Sequence, residues 1–222
     1  RTTSPDDAIS LDADGRIWVH VADAAALVRP DDPADEEARG RGATLYLPES
    51  VISLLPWRAT ELLGLGLQEI SPALSFGIGL DANGQINSLE ITPSRVRVTR
   101  LTYEAADAAL DDEPLASLWR LLQGYHAWRQ AQGAVEINLP EVDVFVQEGT
   151  VVIEPAPSLR SRSLVENAMI LTGHAVARFA LQHDIPLPFA TQEVGDEATP
   201  ALRRARTLSQ MLALRKTMRR SQ

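Results

Sequence analysis

Two adjacent carboxylates near the start of the chain, Asp6 and Asp7, are the side chains best suited by type and spacing to chemistry. Pro5 precedes them, fixes its own φ and interrupts regular strand pairing, so both side chains could turn toward one cation. Hard divalent ions such as Mg²⁺ prefer carboxylate oxygens as ligands. On these residues alone a solvated turn is the simpler interpretation, because charged side chains are mostly exposed.

A β-hairpin must position this pair. A strand is predicted over residues 8–11, a turn ends at Gly15, and a second strand begins at Ile17. Both faces of the second strand are apolar or aromatic, with Trp18 and His20 on one of them, which predicts a well-buried strand. Carboxylates at the mouth of a buried hairpin are costly to desolvate, and a cation would compensate them.

The remaining elements follow from turn, cap and periodicity signals. Strands are predicted over residues 44–47, 73–80, 85–92, 94–100, 135–139, 142–147 and 150–154. Helices are predicted to open at Asp32 and Pro33, to cover residues 59–63, 103–110, 115–131 and 159–182, and to run from Thr199 and Pro200 toward Arg219. The Gly-Leu-Gly run at residues 64–66 is too short for a phosphate loop and is interpreted as a helix stop. Strands and helices in blocks, without strict alternation, predict an α+β fold.

Composition limits the functions open to the chain. Its 222 residues fit one large domain, and 45% hydrophobic residues suffice for a sizeable core. The absence of cysteine excludes disulfides and thiolate metal sites and agrees with a cytoplasmic location. No apolar run approaches the roughly 18 residues of a membrane span, so no membrane partner is expected. A net charge of −9 argues against a general nucleic-acid coat but does not exclude a nuclease.

Several motifs in series resemble the catalytic domain of the ribonuclease II (RNB) exoribonucleases. They are the runs SPDDAISLD at residues 4–12, RIWVHVAD at 16–23, ARGRGATLYLPE at 38–49, PSRVRVTRLTY at 93–103 and LVENAM at 164–169. The resemblance spans nearly the whole chain. It implies an RNB catalytic domain over residues 1–222, with a mixed, mostly antiparallel sheet packed with helices. The domain is expected to be incomplete at both ends and to lack the RNA-binding domains that flank it in the family.

The resemblance implies a processive enzyme that hydrolyses single-stranded RNA from its 3′ end to nucleoside 5′-monophosphates. Mg²⁺, for which Mn²⁺ could substitute, would be held by Asp6 and Asp7 as the catalytic and metal-binding residues, and two cations can neutralise the charge that develops on the phosphodiester. The family motif has four aspartates in the spacing D-x5-D-x-D-D. Asp6 and Asp7 match the last two, Ser4 stands where the second is expected, and the first would precede Arg1.

RNA contacts are also implied by the resemblance. Tyr46 matches a family tyrosine that stacks on a base near the RNA 3′ end, and Glu166 matches a glutamate that contacts the terminal nucleotide. The family's second stacking aromatic falls near Ile137, which cannot stack as a ring does. Arg95 and Arg97 could contact phosphates.

Each of these residues also has a purely structural interpretation. The tyrosine could be a core residue with a satisfied hydroxyl. Glu166 lies on the predicted buried stripe of its helix and could form a salt bridge to Arg160 or Arg162. Arginines that alternate along a strand, such as Arg95 and Arg97, are typical of a solvated face.

Three hypotheses therefore stay open. The chain is part of an active 3′→5′ exoribonuclease, or an RNB-like domain that binds RNA or a protein without cutting, or a structural domain with no role in RNA metabolism. His20 and His174 are interpreted as structural rather than catalytic, because no serine or carboxylate is placed to complete a triad.

Overall fold

The computed structural model describes residues 4–137, 139–190 and 207–218, and it confirms the α+β class. The strands are β1 (Asp7–Leu11), β2 (Ile17–Ala22), β3 (Leu45–Tyr46), β4 (Val51–Ile52), β5 (Ser71–Leu80), β6 (Ile86–Val96), β7 (Val142–Gln147) and β8 (Thr150–Pro155). The helices are α1 (Pro33–Arg41), α2 (Trp57–Leu63), α3 (Tyr103–Ala108), α4 (Leu115–Ala131), α5 (Arg160–Gln182) and α6 (Leu208–Thr217), with a short 3-10 turn at Ala24–Ala26.

The central sheet has four antiparallel strands in the order β1-β2-β5-β6. Two small two-stranded sheets, β3-β4 and β7-β8, lie outside it. A turn at residues 81–84 joins β5 to β6 in a hairpin, and the Asp81 carboxylate accepts hydrogen bonds from the Asn83 and Gln85 amides at 2.8 and 2.9 Å. Gly84 has φ +79°, and a Cβ there would lie 2.3 Å from the Gly124 carbonyl oxygen of α4. Only glycine therefore allows this turn to sit against the helix.

One face of the sheet and two long helices, α4 and α5, enclose the core. Alternation along β2 buries Ile17 and Val19 completely, whereas Trp18 and His20 on the other face are only half-buried. The largest buried core side chains from the helices are Leu118, Leu122, Tyr125 and Leu171. The prediction that β2 is buried on both faces is thus right for the helix side and only partly right for the other.

Helix caps form where the sequence signals them. The Asp32 carboxylate accepts from the Asp35 amide at 2.9 Å, Pro33 occupies the first turn of α1, and Gly42 ends the helix in the left-handed region with φ 76°. Within the described ranges, no helix is both long and apolar enough to span a bilayer.

Three predicted elements differ from the structure. The strand predicted over residues 94–100 ends at Val96, because Val96 pairs with Ser71, the first residue of β5, and no partner strand extends further. The strand predicted over residues 135–139 does not form in its described part; Val135 and Ile137 lie beside α4 and α5. The predicted helix start at residues 199–200 lies outside the described residues, and α6 is capped by Thr207.

Candidate active site

The backbone around the two aspartates is held on both sides. Asp7 is the first residue of β1 and pairs with Val21, whereas Asp6 lies just before the strand. The Asp6 carbonyl accepts a hydrogen bond from the Ala22 amide at 2.8 Å. One residue earlier, the Pro5 carbonyl accepts from the Leu65 amide, also at 2.8 Å. Pro5 thus connects the end of a sheet to the loop after α2.

The two carboxylates have different surroundings. Asp6 is exposed and Asp7 is half-buried. Burial, and next the neighbouring Asp6 carboxylate, raise the pKa of Asp7, although its own backbone amide partly offsets this. A cation beside the pair would favour the ionised form of Asp7, so the electrostatics of this edge fit a positively charged ligand.

A cleft of about 290 Å³, here called the aspartate cleft, opens beside this edge. Asp6 and Tyr46 both line it, although they are 40 positions apart in the sequence, and Ser4, Thr60 and Gly64 form other parts of its wall. Asp7 is not among the lining residues. Tyr46 is 75% exposed, so the interpretation of a buried core tyrosine is wrong. Its ring is free to meet a ligand from solvent.

The hairpin that carries Tyr46 is small, and hydrogen bonds from residues that flank it hold it in place. Its strands β3 and β4 have two residues each, and all four are exposed. The Arg41 guanidinium at the end of α1 donates to the Ser53 carbonyl and, at 3.3 Å, to the Leu54 carbonyl. The Thr44 hydroxyl accepts from the Leu54 amide at 3.0 Å. These contacts hold the outer wall of the aspartate cleft.

A second cleft, of about 360 Å³, lies between α4, α5 and residues 134–137, and is here called the glutamate cleft. Glu166 and Ile137 both line it. The expectation that Glu166 lies on the buried stripe is wrong: Glu166 is exposed, because two positions along a helix from buried Leu164 lead to the opposite face. The cleft therefore gives Glu166 access to a ligand.

The salt bridges considered for Glu166 are not the ones that form. Arg160 lies 3.5 Å from Asp111, and Arg162 lies 3.9 Å from Glu141. Both arginines thus face carboxylates of other segments.

Sequence reasoning missed two residues of the glutamate cleft, His126 and Asn167. His126 Nδ1 lies 3.2 Å from the Asn167 side-chain oxygen, and its Nε2 lies 2.9 Å from the Gln130 amide nitrogen. The Glu136 carboxylate also lies 3.5 Å from His126 Nε2, so the imidazole connects α5 with the segment at residues 134–137. Asn167 is 5% exposed and directly follows Glu166. A buried polar residue beside the predicted contact was the signal that could have found this network.

Comparison with known proteins decides the family. A family model described as "RNB domain" matches residues 1–221. The chain belongs to the RNB family. An uncharacterized ribonuclease of Synechocystis is 39% identical over 86% of this chain and 30% of its own length. A chloroplastic/mitochondrial ribonuclease II of Arabidopsis thaliana is 35% identical over 84% of this chain and 25% of its own. The chain thus spans about a quarter to a third of these relatives, and the predicted family resemblance is confirmed.

Solved structures share the fold of this RNB domain. RNase R of Mycoplasma genitalium in complex with ribose-methylated single-stranded RNA superposes with a TM-score of 0.79 at 22% identity, covering 87% of this chain and 33% of its own. Yeast Ssd1, described as a pseudonuclease, gives a TM-score of 0.74 at 15% identity over 97% of this chain and 32% of its own. Both likenesses concern the fold alone.

The two arginines predicted to contact phosphates, Arg95 and Arg97, lie apart from both clefts. Arg95 and Arg97 are exposed and line neither the aspartate cleft nor the glutamate cleft. The Arg97 guanidinium lies 2.7 Å from the Glu69 carboxylate, and both side chains are open to solvent. The contacts therefore favour the interpretation of a solvated face over a phosphate site.

Asp6 and Asp7 are the residues that the sequence predicts to hold a metal ion in this RNB domain. Within residues 4–137, 139–190 and 207–218, no group of three or more histidine, aspartate or glutamate side chains is placed to hold an ion. Asp6 and Asp7 offer the carboxylate oxygens that Mg²⁺ prefers. Mg²⁺ usually keeps several waters and takes one or two protein carboxylates plus substrate phosphates, so a pair of aspartates fits such an ion.

Proposed function

We propose that this chain is the catalytic part of a magnesium-dependent exoribonuclease that processively hydrolyses single-stranded RNA from the 3′ end to nucleoside 5′-monophosphates. Membership of the RNB family supports the reaction class. The observation that carries the proposal is the convergence of Asp6 and the exposed Tyr46 ring on one cleft. A carboxylate and an aromatic ring are what a site needs to handle a phosphodiester beside an unpaired base.

In this proposal Asp6 and Asp7 hold Mg²⁺, for which Mn²⁺ could substitute. The bound ion would neutralise charge that develops on the scissile phosphate and stabilise the leaving oxygen. Tyr46 stacks on a base, which contributes about 1–3 kcal/mol and tolerates any sequence. This tolerance suits an enzyme that shortens a chain one nucleotide after another.

The glutamate cleft is proposed to receive the terminal nucleotide. The Glu166 carboxylate is accessible there, and a carboxylate can accept hydrogen bonds from ribose hydroxyls. A stacking role at Ile137 is not proposed, since isoleucine has no ring. Arg95 and Arg97 remain predicted phosphate contacts, and Arg97 would have to leave Glu69 to make one.

The direct test uses full-length protein and a 3′-labelled single-stranded RNA. Release of labelled mononucleotides in Mg²⁺, their loss in EDTA and their loss in Asp7→Asn would support the proposal. Asp14→Asn is the matched control, since Asp14 is an exposed carboxylate at the opposite end of the β1-β2 hairpin. Internal cleavage products, or equal turnover in EDTA, would contradict it.

A second candidate is an RNB-like domain that binds RNA without cutting it. Ser4 stands where the family motif has an aspartate, and it lines the aspartate cleft itself. The fold likeness to a pseudonuclease shows that this architecture also occurs in a protein so described. RNA that binds in EDTA and stays intact after Mg²⁺ is added would favour this candidate. A cytoplasmic location remains a prediction under either candidate.

A further inference from the structure

The Gly-Leu-Gly run at residues 64–66 does more than end α2. Leu65 is completely buried, and its amide donates to the Pro5 carbonyl at 2.8 Å. Gly66 has φ +75°, which favours glycine, and a Cβ on Gly64 would lie 2.5 Å from the Leu67 side chain. Glycine is therefore favoured at both ends of this turn, and the turn directs the Leu65 amide toward Pro5 and the neighbouring Asp6 and Asp7, here called the aspartate edge.

The buried hydroxyl of Ser71 holds the two ends of this turn. Ser71, the first residue of β5, is completely buried. Its hydroxyl donates to the Gly64 carbonyl and accepts from the Gly66 amide, each at 3.2 Å. These two bonds bracket Leu65 and so fix the direction of the Leu65 amide. Without the hydroxyl, the Gly66 amide would lose this partner, and the buried Gly64 carbonyl would keep the Leu67 amide at 3.1 Å as its remaining donor.

The consequence reaches the Asp6 side chain through geometry. The Pro5 carbonyl belongs to the peptide plane before the Asp6 Cα, and the Asp6 carbonyl belongs to the plane after it. The first plane is held by Leu65 and the second by Ala22, each through a 2.8 Å hydrogen bond. When both planes around a Cα are fixed, the direction of its Cα–Cβ bond is fixed as well. The bond from Leu65 thus helps to set where the Asp6 carboxylate points.

We propose that Ser71, acting through the turn at residues 64–66, is a positioning residue that aims the Asp6 carboxylate into the aspartate cleft. This inference rests on the proposed role of Asp6 as a metal ligand. Removal of a group that orients a metal ligand without touching the metal typically lowers metal affinity or activity by about 10–100-fold.

The chain supplies a matched control on the same strand. Ser75 is 1% exposed and lies on the same face of β5 as Ser71. Its hydroxyl contacts His20 Nδ1 at 2.7 Å and the Ser94 hydroxyl, and it has no bond to the turn at residues 64–66. Ser75→Ala therefore removes a buried, doubly bonded hydroxyl from β5 while leaving the Leu65–Pro5 bond in place.

The test compares Ser71→Ala and Ser75→Ala in the full-length protein by Mn²⁺ titration, hydrogen–deuterium exchange and thermal unfolding. Both variants should unfold at lower temperature. Only Ser71→Ala should weaken Mn²⁺ binding, by about ten-fold or more, and only it should speed exchange at the Leu65 amide. Equal Mn²⁺ affinities in the two variants, or an unchanged Leu65 amide in Ser71→Ala, would overturn the proposal.

Two further arms keep the outcomes distinct. If Ser71→Ala does not fold, Ser71→Cys keeps the size of the side chain with weaker hydrogen bonding, and the same pattern is expected at smaller amplitude. The metal assignment in the proposed function fails if the wild-type protein binds no Mn²⁺ and Asp6→Asn cleaves RNA as the wild type does. Exchange at the Leu65 and Ala22 amides then decides whether Ser71 holds the Asp6 backbone.

Discussion

The aspartate edge and the β3-β4 hairpin that carries Tyr46 lie beside the same cleft, but the rest of the fold holds them in very different ways. Asp7 begins a strand of a four-stranded sheet, and Asp6 is tied to Ala22 and, through Pro5, to Leu65. Tyr46 lies on a strand of two residues whose side chains are all exposed. A metal ligand must be placed within a fraction of an ångström, whereas a stacking ring can follow the base that it meets. The difference in support matches the difference in the precision that each role requires.

The largest effect on catalysis is expected from substitutions at the aspartate edge. Asp6→Asn and Asp7→Asn should each lower kcat by roughly 10³-fold or more, because the amide cannot replace a carboxylate that holds a divalent ion. RNA affinity should stay nearly unchanged, since the proposed function assigns RNA binding to other residues, among them Tyr46 and Glu166. Single-turnover cleavage and equilibrium binding measured on the same preparations would check both statements.

Asp6 and Asp7 can also be separated from each other. Asp6 lines the cleft and Asp7 does not. Titration of each variant with Mn²⁺ against Asp14→Asn shows which carboxylate the ion needs. Wild-type turnover in either aspartate variant would remove that residue from the metal site and with it the contrast between the two supports.

A smaller effect is expected at the hairpin. Tyr46→Ala should weaken single-stranded RNA binding by about 1–3 kcal/mol, the contribution of one base stack, and should change the length of the final product. Tyr46→Phe should keep both properties, because stacking needs the ring and not the hydroxyl. Trp57→Ala is the control, since Trp57 is a 62% exposed aromatic that does not line the aspartate cleft. Trimming to the wild-type end length by Tyr46→Ala would refute the stacking role.

Local elements and the long-range contacts that assemble the cleft differ in how well the sequence predicts them. The β1-β2 hairpin and the α4 bounds follow from local signals, namely alternation, turn residues and helical periodicity, and the structure agrees with them. The convergence of Asp6 with Tyr46 depends on contacts between distant segments, such as Leu65 with Pro5 and Arg41 with Ser53. No local pattern encodes such contacts.

Two errors of prediction have different origins. Residues 135–137 have the composition of a strand, but no neighbouring strand in the described part pairs with them, so they form a cleft wall instead. A strand needs a partner, which is a tertiary fact. The buried stripe of α5 does run through apolar positions that the sequence indicates, among them Leu164, Ala168 and Leu171. Glu166 lies off this stripe because of its spacing from Leu164, which helical periodicity alone could have shown.

A third prediction tests whether Arg41 holds the hairpin. Nη1 of Arg41 donates to the Ser53 and Leu54 carbonyls while Nη2 donates to the Glu37 carboxylate, and the single ammonium of lysine cannot keep all of these contacts. Arg41→Lys should therefore lose about 1 kcal/mol of support for the hairpin. We expect faster hydrogen–deuterium exchange in residues 44–55 and RNA binding that is weaker by several-fold, with Mn²⁺ affinity unchanged.

Arg39→Lys is the control for this prediction. Arg39 lies on the same helix and pairs with Asp31 at 2.9 Å and with Asp35, away from the hairpin. It should leave exchange in residues 44–55 as in the wild type. A loss of Mn²⁺ affinity in Arg41→Lys would show that the hairpin and the aspartate edge are one mechanical unit rather than two.

The smallest effect is expected on the thermal stability of the metal-free protein, through the charge of Asp7. Burial and Asp6 raise the pKa of Asp7 above that of an unfolded aspartate, so the folded protein binds the proton more tightly. Asp7 therefore favours folding at low pH, and this contribution is lost as pH rises through the raised pKa. In EDTA at neutral pH, Asp7→Asn should unfold at a higher temperature than the wild type. The gain should stay below about 1 kcal/mol, since water screens a half-exposed carboxylate.

The gain should shrink as pH falls toward the ordinary titration range of an aspartate, because the wild-type carboxyl, whose pKa is raised, then takes up a proton as well. It should also narrow in Mg²⁺, because an ion bound to the folded wild type stabilises it by mass action. Asp14→Asn should show neither trend, since Asp14 is exposed at the far end of the hairpin. Thermal unfolding of the three proteins between pH 4 and 8 gives the answer. A difference between Asp7→Asn and the wild type that is independent of pH would mean that packing, and not charge, distinguishes the two side chains.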